Sequence, residues 1–153
     1  MTTEIKKPKI YPPVWLVLSM LTMYALHRWL PLMVLNIPWS SIITASLLAI
    51  GLTIILWASA GFNRVKTGIV PFSESTRLIT TGLYRYTRNP MYLGMVLILS
   101  GFACSLGTLA AWIPIPVFIT IIQLRFILNE ERFLTDIYGD EYLQYVKQVR
   151  RWL

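Results

Sequence analysis

Apolar and polar residues follow one another along this chain in long blocks. Four apolar blocks stand out, at 14–35, 41–62, 90–105 and 108–128. About 20 residues suffice to cross the hydrocarbon core of a bilayer, so each block predicts a membrane-spanning helix. The block at 41–62 carries no charge, and Gly51 within it marks a point where a neighbouring helix can approach closely. The third block is the shortest. An uncharged turn at 105–108 joins it to the fourth, and the two read as a helical hairpin. Pro114 and Pro116 predict a kink in the fourth helix. The fold class is all-α: one membrane domain over 1–153, with about four transmembrane helices and a helical C-terminal segment.

The polar blocks complete the outline. Residues 1–13 are basic, with Lys6, Lys7 and Lys9. The 63–89 connection holds Arg64, Lys66, Arg77, Arg85 and Arg88 against Glu74. The connections after the first and third blocks are nearly free of charge. By the positive-inside rule both termini and the 63–89 connection are cytoplasmic, in a multi-pass protein of a prokaryotic inner membrane or the endoplasmic reticulum. His27 and Arg28 read as outer-interface residues, and Trp15, Trp29 and Trp152 as interfacial anchors. In 129–153, Phe133, Leu134, Ile137 and Tyr138 keep helical spacing, so the fourth helix continues to Tyr138. Gly139 suits the residue after a helix end, and Asp140 suits the N-cap of a further helix over 141–149.

Composition narrows the function. The chain is 56% hydrophobic and 14% charged, against about 25% charged in soluble domains. Its net charge of +7 comes from basic residues flanking apolar blocks, which fits anionic headgroups and sidedness and not nucleic acid. One Cys and one His leave no disulfide framework and no metal set. No strand followed by a Gly-rich turn and a helix is present, which excludes a soluble Rossmann enzyme. No Ser-His-Asp set or activated thiol supports hydrolysis.

The remaining chemistry lies at Asn89-Pro90. Asn caps helices, Pro suits the first turn, and the residue before Pro avoids the α conformation, so a helix starts at about Pro90. Its positive end faces Arg85 and Arg88 and suits an anion. The hairpin brings 77–92 and 125–145 to the same face, pooling arginines, Glu130, Glu131 and several tyrosines. Arginines can take a carboxylate, acids an ammonium or ribose hydroxyls, and aromatic rings a cation or purine. A sulfonium-bearing nucleotide such as S-adenosylmethionine fits this set, and so does a phospholipid headgroup.

The segment GLYRYTRNPMYLG, followed one hairpin later by EERFLTDIYGDEYLQYVKQVRRW, resembles the isoprenylcysteine carboxyl methyltransferase and phospholipid methyltransferase superfamily. The resemblance implies an integral-membrane enzyme using S-adenosylmethionine. The R-H-P-x-Y-x-G element falls on Arg88, Asn89, Pro90, Tyr92 and Gly94; the E-E pair on Glu130 and Glu131; Y-G-x-E-Y on Tyr138, Gly139, Glu141 and Tyr142; the terminal element on Arg150, Arg151 and Trp152. Asn89 stands where prenylcysteine enzymes have His and the phospholipid branch has Asn; Leu83 stands for the usual Pro of G-P-Y-R.

Together these readings give a cofactor region of 77–94 plus 125–152. Its candidates are Tyr86, Arg88, Asn89, Pro90, Tyr92, Leu93, Gly94, Arg125, Glu130, Glu131 and Tyr142, with Arg85, Arg132 and Tyr145 on the acceptor side. Adjacent helical residues point about 100° apart, so one of Glu130 and Glu131 faces the donor, and Glu131 is favoured. No catalytic base is assigned. The acceptor is lipophilic: a prenylcysteine-like carboxylate, a lipid amine or a thiol, entering from the bilayer. Two alternatives stand beside this. Membrane sterol reductases that use NADPH share a Y-R-x-x-R-x-P element, and a non-enzymatic scaffold binding lipid headgroups would use the same basic residues. The oligomeric state is open.

Overall fold

The computed structural model describes residues 10–65 and 78–153, without the side chains of 62–65. Lys6, Lys7, Lys9, Lys66, Glu74 and Arg77, and the side chain of Arg64, lie outside the described residues. Among those described, every regular element is helical: α1 (Pro12–Trp29), α2 (Ser40–Val65), α3 (Pro90–Leu106), α4 (Pro114–Ile122), α5 (Leu128–Tyr138) and α6 (Asp140–Gln148).

The first helix is shorter than its apolar block. Pro31 disfavours the α conformation at Leu30, which takes φ −145° and ψ 66°. Leu32 and Trp39 then adopt positive φ. Residues 30–35 are therefore apolar but not helical. They fold against the α3–α4 turn, where the Leu35 N–H donates to the Gly107 carbonyl at 2.8 Å and the Leu109 N–H to the Met33 carbonyl at 2.9 Å. His27 Nδ1 lies 3.3 Å from Thr108 Oγ1 at this same end.

Pro114 opens α4 and Pro116 falls in its first turn, where a missing N–H costs nothing. The kink expected at these prolines is replaced by a helix start, preceded by a 3₁₀ turn at Leu109–Trp112. The irregularity comes later. Gln123–Ile127 form a π-turn, with the Leu128 N–H donating to the Gln123 carbonyl five residues back. Ile122, Ile127 and Leu128 keep right-handed helical angles, so α4, the π-turn and α5 make one continuous rod ending at Tyr138. Gly139, at φ 50° and ψ −123°, breaks it in a conformation open mainly to glycine. Asp140 becomes the first residue of α6, with Gly139 in the N-cap position it was expected to fill.

Glycines set the α2–α3 seam. A Cβ on Gly51 would lie 2.7 Å from the Gly94 carbonyl oxygen, and one on Gly94 would lie 2.7 Å from that of Gly51. Below them Thr44 Oγ1 donates to the Gly101 carbonyl at 3.1 Å. Met23 of α1, Leu99 and Ala103 of α3, Phe118 and Ile122 of α4, and Phe126 and Ile127 form the buried core. Around it the outer faces are apolar and exposed: Val17 and Leu21 on α1, Leu52, Leu56 and Trp57 on α2, Val117 on α4.

Two helical stretches are long and apolar enough to cross a membrane, Ser40–Gly61 with 22 residues and Leu109–Tyr138 with 30. The apolar α3 has 17 residues, at the lower limit for a span.

Candidate active site

The start of α3, the polar half of the rod and the C-terminus converge at the end of the bundle opposite the 30–35 fold-back. Glu131, on α5, is the hub. Its Oε1 lies 3.0 Å from an Arg88 Nη1 and accepts from Arg151 Nε at 2.9 Å; its Oε2 accepts from Arg151 Nη2 at 2.7 Å. Arg151 thus grips the carboxylate with two parallel bonds, the strong geometry for this pair. The shared carboxylate raises the Arg151 pKa, chiefly through these hydrogen bonds. Arg88 also donates to Tyr142 Oη at 3.4 Å. The Arg88 side chain is only 10% exposed, and its Nε is buried with no partner. Burial pushes the Tyr142 phenol above its ordinary pKa, so it keeps its proton and remains a donor.

Glu130 points elsewhere, as adjacent helical positions require. Its Oε2 accepts from Tyr92 Oη at 3.3 Å, across the α3–α5 contact. Tyr145 Oη donates to the Tyr84 carbonyl at 2.6 Å and ties α6 to the 3₁₀ turn Gly82–Arg85; burial raises its pKa too.

Asn89 occupies the N-cap position of α3, yet its side chain makes no cap bond. Its Nδ2 instead donates to the Arg151 carbonyl at 2.9 Å. Thr87 Oγ1 accepts from the Asn89 N–H at 3.2 Å and donates to that same Arg151 carbonyl at 3.3 Å. The Arg88 N–H donates to the Arg150 carbonyl at 3.0 Å. Trp152, expected as a free interfacial anchor, is docked inside: its Nε1 donates to Gln123 Oε1 at 3.0 Å.

Of these groups Arg88, Glu131, Tyr142 and Arg151 wall an open cavity of about 380 Å³, whereas Asn89, Tyr92, Glu130 and Tyr145 are not among its lining residues. Arg88, Glu131, Arg132, Tyr142 and Arg151 line it, with Leu128, Thr135, Asp136, Leu143 and Val146. Three guanidinium groups face two carboxylates, so the wall carries one net positive charge.

Not every candidate converges. Pro90 is buried at the α3 start, and Gly94 is filled by the Gly51 backbone, which leaves its Cα face to a helix. Leu93 is half-buried in α3. Arg85 and Tyr86 are exposed in the turn before α3. Arg125 is exposed in the π-turn and is not among the cavity residues. Sequence reasoning did not single out Thr87, Gln123, Thr135 or Asp136. For Gln123 the available signal was an amide placed beside Arg125 in the largely apolar run ITIIQLRFIL.

Comparison with known proteins gives this geometry a setting. A 63-residue stretch, 41% of the chain, is 43% identical to the whole of an uncharacterized protein from Haemophilus influenzae. A 72-residue stretch is 32% identical to the protein-S-isoprenylcysteine O-methyltransferase of Schizosaccharomyces pombe, covering 47% of this chain and 30% of that enzyme's length. No solved structure matches. The family model for phospholipid methyltransferases matches residues 39–141, a span running from the start of α2 through Glu131 to the start of α6. With that match over most of its length, this chain belongs to the phospholipid methyltransferase family, and the family and the Schizosaccharomyces pombe relative together support a methyltransferase.

Proposed function

We propose that this protein is a membrane-embedded, S-adenosylmethionine-dependent methyltransferase acting on a lipophilic acceptor. One observation carries the reading: Arg88 and Arg151 share the single carboxylate of Glu131, leaving positive charge in excess at the cavity wall. The donor set fits the cofactor. Arg88, with its buried and unpartnered Nε, and Arg151 suit a carboxylate. Glu131 and Asp136 suit an ammonium or ribose hydroxyls, and Tyr142 a purine or sulfonium.

When bound, S-adenosylmethionine supplies a methyl group on a good leaving group, so alignment is the main demand on the protein. The Arg88–Glu131–Arg151 network supplies it by fixing the walls through bonds made before any ligand arrives. A carboxylate or thiolate acceptor needs no proton removed. For an amine, Glu131 and Asp136 are the carboxylates at the cavity wall that can take the proton, while Glu130 points away to Tyr92. The exposed apolar faces of α1, α2 and α4 contact lipid in this reading, and the acceptor arrives sideways from the bilayer. Both termini and the site are cytoplasmic in a multi-pass topology, and the partners are membrane lipids and the lipophilic acceptor, not nucleic acid.

The test is calorimetric titration of the detergent-purified protein with S-adenosylmethionine, its demethylated product and NADPH. Micromolar binding of the first two and none of the third is expected. Arg88→Ala should raise the donor KM at least about tenfold, the scale of a lost charge-assisted bond. NADPH binding without donor binding would instead support a reductase, and binding of neither a lipid-binding scaffold.

A further inference from the structure

Beyond α6 the backbone extends at Val149, φ −124° and ψ 130°, and runs past the start of α3. Residues 87–89 take hold of it there by three bonds. The Arg88 N–H donates to the Arg150 carbonyl at 3.0 Å, Asn89 Nδ2 to the Arg151 carbonyl at 2.9 Å, and Thr87 Oγ1 to that same carbonyl at 3.3 Å. These two carbonyls flank the Arg151 Cα, so the atom from which its side chain departs is fixed from both directions.

The first carbonyl is held by main chain, which any non-proline residue at 88 would supply. The second is held by two side chains. Asn89 stands in the N-cap position of α3 without making a cap bond, and spends its amide on the strap. Thr87 is 4% exposed, and its Oγ1 accepts the Asn89 N–H at 3.2 Å, which leaves the hydroxyl proton for the Arg151 carbonyl. Neither residue lines the cavity. What hangs from the pinned atom does: the Arg151 guanidinium, which meets Glu131 with two bonds, Nε at 2.9 Å and Nη2 at 2.7 Å. That planar fork demands direction as well as reach.

We propose that Thr87 and Asn89 are positioning residues: together they hold the Arg151 carbonyl so that its guanidinium meets Glu131 in the two-bond geometry at the cavity wall. Neither side chain touches a reacting atom. Asn89, expected beside the cofactor, acts from behind it, through Arg151. This inference rests on the methyltransferase reading.

The experiment measures affinity for S-adenosylmethionine by calorimetry on the detergent-purified chain, with circular dichroism to check folding. The variants are Thr87→Val, Asn89→Ala, the two combined, Thr87→Ser, Arg151→Ala, and the combined pair in Arg151→Ala. Two donors share one carbonyl, so either alone keeps most of the hold, and each single variant should weaken binding no more than about three-fold. The combined pair should weaken it about ten-fold, the scale of the bonds lost. Thr87→Ser, which keeps the hydroxyl, should bind as wild type. Arg151→Ala should itself cost about ten-fold, and adding the pair to it should cost nothing more, because the pair acts only through that side chain. Wild-type affinity in the combined pair overturns the proposal. So does a loss that persists in full on top of Arg151→Ala, or a combined pair that fails to fold, since the two residues would then hold the bundle and not the arginine. A wild-type protein that binds no donor withdraws the methyltransferase reading itself, an outcome distinct from variants that bind as well as wild type.

Discussion

At one end of the bundle Leu35 and Leu109 exchange main-chain bonds with Gly107 and Met33, and the side-chain contact is His27 with Thr108. At the other end Arg88, Glu131, Arg151, Asn89 and Tyr145 carry the contact through their side chains. Both ends involve α3 and the α4–α5 rod. Main-chain bonds can be made by almost any sequence, so the first end specifies a shape. The second specifies identities, because a guanidinium and a carboxylate cannot be exchanged for other groups. Where a bundle gathers its charged side chains and leaves a cavity between them, it has kept a surface for something other than itself.

Three substitutions probe this contrast. Glu131→Ala should have the largest effect. It leaves Arg88 and Arg151 facing each other with no counter-ion, and should cost about 3 kcal/mol, together with donor binding, in denaturation and calorimetry of the purified protein. A loss below about 1 kcal/mol would rank the network with exposed ion pairs and weaken the contrast. Gly94→Ala comes next. The new methyl would meet the Gly51 carbonyl oxygen and Ile55 Cγ1, both at 2.7 Å, and backbone cannot step aside as a side chain can. About 2 kcal/mol of destabilisation is expected, with the α3 start moved relative to α5 and donor affinity reduced. Thr108→Val should have the smallest effect, about 0.5 kcal/mol, with donor binding unchanged, because the main-chain bonds beside it persist. Donor binding that fell in this variant would show the two ends to be coupled.

Much of the fold was legible. Asn89-Pro90 started α3, Gly139 broke the rod from α6, and Gly51 marked the α2–α3 approach, because each signal lies in a residue's own backbone preference or bulk. The two acids and Arg88 were legible as chemistry. Their partners were not. Arg151 meets Glu131 from 20 positions away and Trp152 meets Gln123 from 29, and such contacts leave no trace in local periodicity. Arg125 looked as eligible as Arg88; only the helix phase at the π-turn turns it outward. The end of α1 was misjudged from hydropathy alone: residues 30–35 are apolar but not helical, meeting the α3–α4 turn through their main chain while Leu30, Leu32, Met33 and Val34 stay exposed.

The π-turn at Gln123–Ile127 also sets how this rod tolerates changes of length. A π-turn holds one residue more than an α-turn, so it absorbs an extra residue without rotating the helix beyond it. Deleting one residue there, Leu124 for example, would leave an ordinary α-helix with Glu130 and Glu131 still facing Tyr92 and Arg151. Deleting one between the π-turn and the acids would swing both carboxylates by about 100° and undo the site. Natural length variation in this rod should therefore collect in five positions and spare the next few.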